Sequence, residues 1–195
     1  RLAHAMKMHE GYDYVLAAGE GYRYHLAEGF ACDPSIIKIF PLPRVERLHD
    51  KQYASDIRSR IVEKYPQTEK KINILYCPTF RKGADENDAF EKAADDLAAA
   101  CDYDTYNLIF KLHPLSDINI TNENAIFDKS FSSFEMLFMA DIVISDYSCI
   151  IYEAALLDLP IYFYDFDYDH YMATRDIYMD YRSEIPGPVF SNAGD

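Results

Sequence analysis

The chain has 195 residues and carries 33 Asp and Glu against 19 Lys and Arg, a formal net charge of −14. That length suits one α/β domain or a small pair, and a hydrophobic fraction of 49% is enough to bury a core. A surface this acidic repels phosphate backbones and anionic headgroups, which excludes a general role in coating nucleic acid or membrane and leaves room only for a local anion site.

Short apolar, β-branched runs alternate with amphipathic stretches. Strands are predicted over Tyr12–Leu16, Ile36–Phe40, Ile72–Tyr76, Tyr106–Phe110, Ile142–Ile144 and Ile161–Tyr164. Helices are predicted over 20–29, 50–65, 88–101, 132–139 and 150–158. In the third of these Ala89, Ala93, Ala94, Leu97 and Ala98 recur at helical spacing, with Asp85 or Asn87 as its cap. The polar stretch from Lys82 to Asp88 reads as an exposed flexible loop, and Ser191 to Asp195 as a frayed end. Such alternation calls for a mostly parallel sheet covered by helices on both faces, a Rossmann-like α/β architecture, here expected as a single domain over residues 1–195.

No apolar stretch, including that around Ala154 to Leu157, approaches the ~20 residues that span a bilayer, and no signal peptide is visible. The four cysteines, Cys32, Cys77, Cys101 and Cys149, contain no CxxC pair and read as reduced, mostly buried thiols of a cytoplasmic protein. With seven glycines, no GxGxxG and no Walker A pattern, dinucleotide and P-loop chemistry find no support. A Gly-x-Ser-x-Gly nucleophile elbow is absent as well.

In an open parallel sheet ligands bind beyond the carboxyl ends of the strands, so the residues after each apolar run come first. They are Pro41 to Arg44, Cys77 to Arg81, Lys111 to Pro114, Ser145 to Cys149 and Asp165 to His170. Ser145 to Cys149 precede a helical run, which allows two compatible roles: a helix cap by Ser145 or Asp146, and phosphate binding by backbone N–H groups with the Ser148 hydroxyl. Lys111 and His113 are two apart and point to one face of an extended chain, where they either serve a diphosphate or a solvated and a core role respectively. Arg44 is either a surface ion-pair partner or a phosphate ligand. Thr79 and Arg81 follow Pro78 in a turn whose backbone groups are free to face a ligand. Asp165, Asp167 and Asp169 with His170 allow a Mg²⁺ site, but their alternation with Phe166 and Tyr168 favours solvated acids at a strand end, so no metal is assigned.

Together these segments resemble the C-terminal half of the CDP-glycerol glycerophosphotransferase family, the teichoic-acid primases and polymerases of Gram-positive bacteria. The resemblance rests on Asp13-Tyr14-Val15, Leu42-Pro43-Arg44, Tyr76 to Arg81, Lys111 to Pro114, Ala140 to Cys149 and Pro160 to Tyr164, in the family's order. Arg175-Asp176 and Tyr178 to Tyr181, leading to Pro186-Gly187-Pro188, complete it. It implies the donor-binding, C-terminal domain of a GT-B type transferase that moves glycerol phosphate from CDP-glycerol, or a related CDP-alditol, to an acceptor hydroxyl with release of CMP. It carries donor contacts onto Arg44, Pro78, Thr79, Lys111, Leu112, His113, Ser148 and Cys149, and a carboxylate onto Glu153.

The chain departs from the family's pattern at Cys149, where a Ser is usual and the thiol is a poorer donor, and at Glu153, where an Asp is usual. CDP-ribitol therefore stays open as donor. The family's general base is a histidine in a His-Gly-Thr segment; His4 and His9 are followed by Ala5 and Glu10, so no catalytic residue is assigned here. The sequence begins Arg1-Leu2-Ala3, and it is expected to be a piece of a longer enzyme with that base upstream. The parent is expected to be peripheral on the inner face of the cell membrane and to meet a lipid-linked teichoic acid or glycan acceptor through parts outside this chain, without cofactor or nucleic acid. Two rival readings remain, a GT-B glycosyltransferase or epimerase domain using a UDP-sugar and a non-catalytic interaction module.

Overall fold

The computed structural model describes residues 10–116, 118–175, 177 and 179–195. His4, His9, Asp176 and Tyr178 of the sequence reading lie outside the described residues. The chain divides into two compact units, with the boundary between Asp50 and Lys51.

The first unit holds strand β1 (Val15–Ala17), helix α1 (Arg23–Phe30) and strand β2 (Ile37–Ile39), followed by a 3-10 stretch over Pro43–His49. The two strands pair in parallel with Val15 opposite Ile37. Val15, Ala17, Ala27 and Ile37 form its small core. β1 begins three residues later than the sequence pattern places it, because Tyr12 and Tyr14 are exposed and it is Val15 and Ala17 that pack against α1.

The second unit is built on a six-stranded sheet in the order β5-β4-β3-β6-β7-β8, parallel throughout. Its strands are β3 (Ile72–Cys77), β4 (Tyr106–Phe110), β5 (Ile126–Phe127), β6 (Ile142–Ser145), β7 (Ile161–Tyr164) and β8 (Val189–Phe190). Its helices are α2 (Lys51–Lys64), α3 (Ala84–Ala100), α4 (Ser133–Met136), α5 (Ile150–Leu156), α6 (Tyr168–Thr174) and α7 (Tyr181–Glu184). Phe90, Ala93, Ala94, Leu97 and Ala98 form the apolar stripe of α3 and pack on Ile74, Tyr76, Leu108, Phe110 and Ile144. The alternate strand residues Leu75, Ile109, Val143 and Phe163 point the other way and are also fully buried. Both faces of the sheet are therefore covered, as the near-continuous apolar runs require.

Three local expectations need correction. Lys82 to Asp88 is not a flexible loop, since α3 starts at Ala84 with Gly83 as N-cap, so neither Asp85 nor Asn87 caps it. Glu86 fixes that first turn by accepting from the Lys82 N–H and from Arg175 Nη2, each at 3.0 Å. The Ser191 end is not frayed at its start, because β8 pairs with β7 and Ser191 Oγ donates to Asp165 Oδ1 at 2.6 Å. Of the cysteines only Cys77 is buried, while Cys149 is exposed.

Gly187 lies against the start of β7, where a Cβ would come within 2.1 Å of the Ile161 carbonyl oxygen. Overpacking of this kind costs about 1–3 kcal/mol. Gly187→Ala is expected to lower the urea midpoint with an unchanged m-value.

Candidate functional site at the carboxyl ends of the strands

Chain order reverses at the middle of the sheet. β3, β4 and β5 run outward in one direction, and β6 returns to pair with the other edge of β3. The crevice beyond β3 and β6 is thus the switch point at which doubly wound sheets bind ligands. Cys77 and Ser145 end these two strands in register, tied by a 2.7 Å hydrogen bond from Ser145 Oγ to the Cys77 carbonyl.

A cleft of about 690 Å³ opens there. One wall is Cys77 to Phe80 after β3, a second is Lys111 to Pro114 after β4, and a third is Tyr147 to Cys149 leading into α5. Lys129 and Phe131 to Ser133, from the turn after β5 to the first residue of α4, complete it. A slot of about 320 Å³ shares the Lys111 to Pro114 wall and Lys129, and runs between Phe110, Phe127, Ile118 and Ile120. The wider depression of about 730 Å³ along α2 gathers Lys51, Arg58, Glu63 and short side chains of essentially one helix face, with no strand end. Chemistry therefore favours the strand-end cleft.

The loops around the cleft are held by one buried cation. Arg81 is 1% exposed. Its Nε and Nη2 donate to the two oxygens of Asp167 at 2.7 and 3.0 Å, Nη2 also donates to Asp146 Oδ2 at 3.0 Å, and Nη1 to the Thr79 carbonyl at 2.6 Å. Phe90, Tyr147, Phe166 and Tyr171 surround the guanidinium at 5.2–5.8 Å. Burial works against its charge, and the two carboxylates more than offset this, so Arg81 is held firmly protonated. Burial pushes the Asp146 carboxyl up, against Arg81 and the Thr79 N–H, which donates to Asp146 Oδ1 at 2.7 Å.

Within the cleft the Leu115 N–H donates to His113 Nδ1 at 3.1 Å. An accepting Nδ1 places the proton of a neutral ring on Nε2, so the opposite edge presents a donor. The ring lies 5.0 Å from that of Phe80. Lys111 is anchored by its N–H to the Tyr76 carbonyl at 2.9 Å, and its ammonium donates to the Asp128 carboxylate and carbonyl, both at 3.1 Å. The Thr79 hydroxyl lies near Asp146 but meets no partner at hydrogen-bonding geometry. Cys77 is buried beside the cleft floor, and burial pushes its thiol up to about 12.

Seven of the nine donor-contact residues implied by the resemblance meet in this one cleft: Pro78, Thr79, Lys111, Leu112, His113, Ser148 and Cys149. Glu153 sits one turn into α5, buried, and is not part of the lining. Arg44 belongs to the first unit, exposed on the stretch Pro43–His49.

Several local readings change. Neither Ser145 nor Asp146 caps α5; the N-cap is Cys149, without a side-chain cap bond, because Ser145 is spent on Cys77 and Asp146 on Arg81 and Thr79. In the turn after Pro78 the Thr79 N–H is spent on Asp146 and the Thr79 carbonyl on Arg81, so these backbone groups are not free to face a ligand. Lys111 is paired rather than solvated. Asp165 and Asp167 are not solvated acids: Asp165 is held by Arg182 at 2.6 Å and Ser191, and Asp167 by Arg81. Among the described residues no cluster of three or more His, Cys, Asp or Glu is arranged to hold a metal ion. Asp128 and Lys129 belong to none of the sequence motifs; the one local cue to Asp128 is its place just after the short apolar pair Ile126-Phe127.

Fold and cleft together define the class: a Rossmann-like α/β protein with its ligand crevice at the switch point of a parallel sheet. The chain belongs to the CDP-glycerol:poly(glycerophosphate) glycerophosphotransferase family, whose model matches residues 3–195. It is 35% identical over 191 residues to a teichoic acid poly(ribitol-phosphate) polymerase of Bacillus spizizenii, covering 94% of this chain and 31% of the relative. To a teichoic acid ribitol-phosphate primase of the same organism it is 30% identical, covering 93% and 48%. A teichoic acid glycerol-phosphate primase of Bacillus subtilis is 32% identical, with 93% and 47% covered. The chain thus spans a third to a half of the length of these relatives. Its fold is that of the wall teichoic acid polymerase TagF, with a TM-score of 0.73 at 24% identity over 94% of this chain and 45% of that one. A UDP-GlcNAc 2-epimerase of Neisseria meningitidis shares the fold more distantly, with a TM-score of 0.56 at 15% identity over 77% and 44%.

Removing the Arg81 charge leaves Asp146 and Asp167 without their counter-ion in a dry site, a loss of about 3–5 kcal/mol. Arg81→Met is expected to show that loss in urea unfolding. Arg81→Lys is expected to recover only part of it, since an ammonium does not reproduce the fork that reaches both carboxylates.

Proposed function

We propose that this chain is the donor-binding part of a phosphotransferase that moves an alditol phosphate from a CDP-alditol to a hydroxyl of a teichoic-acid-type acceptor, with release of CMP. The observation that carries the reading is the convergence of Pro78-Thr79, Lys111 to His113 and Ser148-Cys149, far apart in sequence, on one cleft at the switch point of the sheet. Names of the relatives include both ribitol-phosphate and glycerol-phosphate enzymes, so CDP-ribitol and CDP-glycerol are both candidate donors.

In this reading the donor diphosphate lies across the cleft. Lys111 and the Nε2 edge of His113 donate to its oxygens, and the Ser148 hydroxyl adds a third donor. The acceptor hydroxyl attacks the β-phosphorus, the bond from that phosphorus to the bridging oxygen breaks, and the negative charge passes to CMP. Donors aimed at the bridging and non-bridging oxygens stabilise that charge as it develops. No His-Gly-Thr occurs in this sequence, and the base that takes the acceptor proton is assigned to no residue here. Arg44 and Glu153 enter the donor set on the family resemblance alone. Among the described residues no helix is long and apolar enough to cross a membrane. The whole enzyme is proposed to work at the cytoplasmic membrane face as a peripheral protein, meeting a lipid-linked acceptor there.

Calorimetry of the 195-residue chain with CDP-glycerol, CDP-ribitol, CMP and UDP-glucose tests the reading. A CDP-alditol is expected to bind more tightly than CMP and UDP-glucose, and His113→Ala to weaken it about tenfold, as for loss of one hydrogen bond to a charged group. Tighter binding of UDP-glucose points instead to sugar-nucleotide chemistry, a reading favoured only by the shared fold of the epimerase. Absence of any nucleotide binding, unaltered by Lys111→Ala, His113→Ala or Arg44→Ala, points to a scaffold.

A further inference from the structure

Beside the cleft, in the lining of the slot that shares its Lys111 wall, lies a carboxylate that none of the sequence motifs contains. Asp128 is 3% exposed and follows the two-residue strand β5. Its Oδ1 accepts from the Ser130 N–H and the Tyr65 hydroxyl, each at 3.0 Å, and its Oδ2 accepts from the Phe131 N–H and the Lys111 ammonium, each at 3.1 Å. Those donors come from three separate places: the end of β4, the turn after β5 and the residue after α2. One acid therefore fixes both the wall that contains Lys111 and the turn that leads to Ser132 and Ser133 in the lining.

The balance of partners indicates which member of the pair depends on the other. Without Lys111 the carboxylate would still accept three hydrogen bonds, and its pKa is held below the usual carboxylate range by the Ser130 and Phe131 N–H groups as well as by Lys111, against the opposing effect of burial. Without the Asp128 carboxylate the ammonium, on a flexible four-carbon stem, would keep only the residue-128 carbonyl. The Lys111 side chain is 10% exposed and that of Asp128 0%, and Lys111 lines the cleft while Asp128 does not. An ammonium has three N–H donors, and the carboxylate and the backbone carbonyl of Asp128 each accept from it at 3.1 Å.

We propose that Asp128 is a positioning residue of the cleft, whose carboxylate, together with the carbonyl of the same residue, aims the Lys111 ammonium so that an N–H is left for a diphosphate oxygen of the ligand. The pair is neutral as a whole, so it contributes a directed donor rather than a general attraction for anions. That distinction reconciles an anionic ligand with a chain of net charge −14. The ordering entropy of the lysine stem is met on folding instead of on binding. The proposal rests on the donor-nucleotide reading above.

The test is calorimetry of the 195-residue chain with CDP and with cytidine, which carries no phosphate. In Asp128→Asn and in Asp128→Glu, CDP affinity is expected to fall about tenfold and cytidine affinity by less than about twofold. Asp128→Glu keeps the charge and shifts the carboxylate, so it remains readable where Asp128→Asn does not fold. In a Lys111→Met background the Asp128 substitution is expected to cost almost no further CDP affinity, because the two act as one unit. An equal loss for CDP and cytidine, an unchanged preference for CDP, or additive losses in the double variant overturns the proposal and leaves the donor-nucleotide reading intact. A wild-type chain that binds neither ligand overturns that reading, and the proposal falls with it.

Discussion

The geometry of the cleft depends on the guanidinium of Arg81. A planar fork reaches Asp146 after β6, Asp167 after β7 and the Thr79 carbonyl after β3, and so binds three strand-end loops to one another. Loops at sheet ends are ordinarily the mobile part of an α/β fold. Here they are cross-braced by charge-assisted hydrogen bonds in a site from which water is excluded, and the cation is enclosed by four aromatic rings. A buried ion pair contributes little net stability compared with a hydrophobic replacement, but breaking it is costly, and its geometry is exacting. Its value is the single arrangement it imposes on residues 78–80 and 147–149, which line the cleft.

The acidity of the chain takes on a narrower meaning once these pairs are seen. Several of the aspartates that dominate the composition face inward onto cations: Asp146 and Asp167 onto Arg81, Asp165 onto Arg182, Asp128 onto Lys111. The excess charge lies elsewhere, while the cleft is lined by Lys111, Lys129 and His113 with three serines. A net charge governs association with extended polyanions; a bound diphosphate responds to donors within a few ångströms.

Most strands were legible because buried parallel strands are written as dense β-branched runs, and β4 and β7 match their predicted limits. β5 and β8, at two residues each, are too short to carry a period and are strands only because a neighbour offers them hydrogen bonds. The first turn of α3 was hidden by its own composition: Asp85, Glu86 and Asn87 read as loop, yet acidic residues suit the positive end of a helix dipole. The candidate cleft residues were found because strand-end motifs in fixed order have a local signature. The pairing of Asp146 and Asp167 with Arg81 has no local signature, since solvation and burial are not visible in a run of six residues.

The sequence by itself determined the fold class, the family and the positions of the strand-end motifs, all of which follow from local periodicity and from short runs of residues. Only the tertiary structure decided who partners whom. Lys111 and Asp128 are 17 residues apart, Arg81 and Asp146 65, Arg81 and Asp167 86. The Arg81 pairs close because β6 pairs beside β3 rather than beside β5, and the Lys111–Asp128 pair because β5 lies beside β4, choices of strand order that no local pattern encodes. Once that choice is made, burial removes water as the competing partner, and each acid takes the cation the topology has placed in reach.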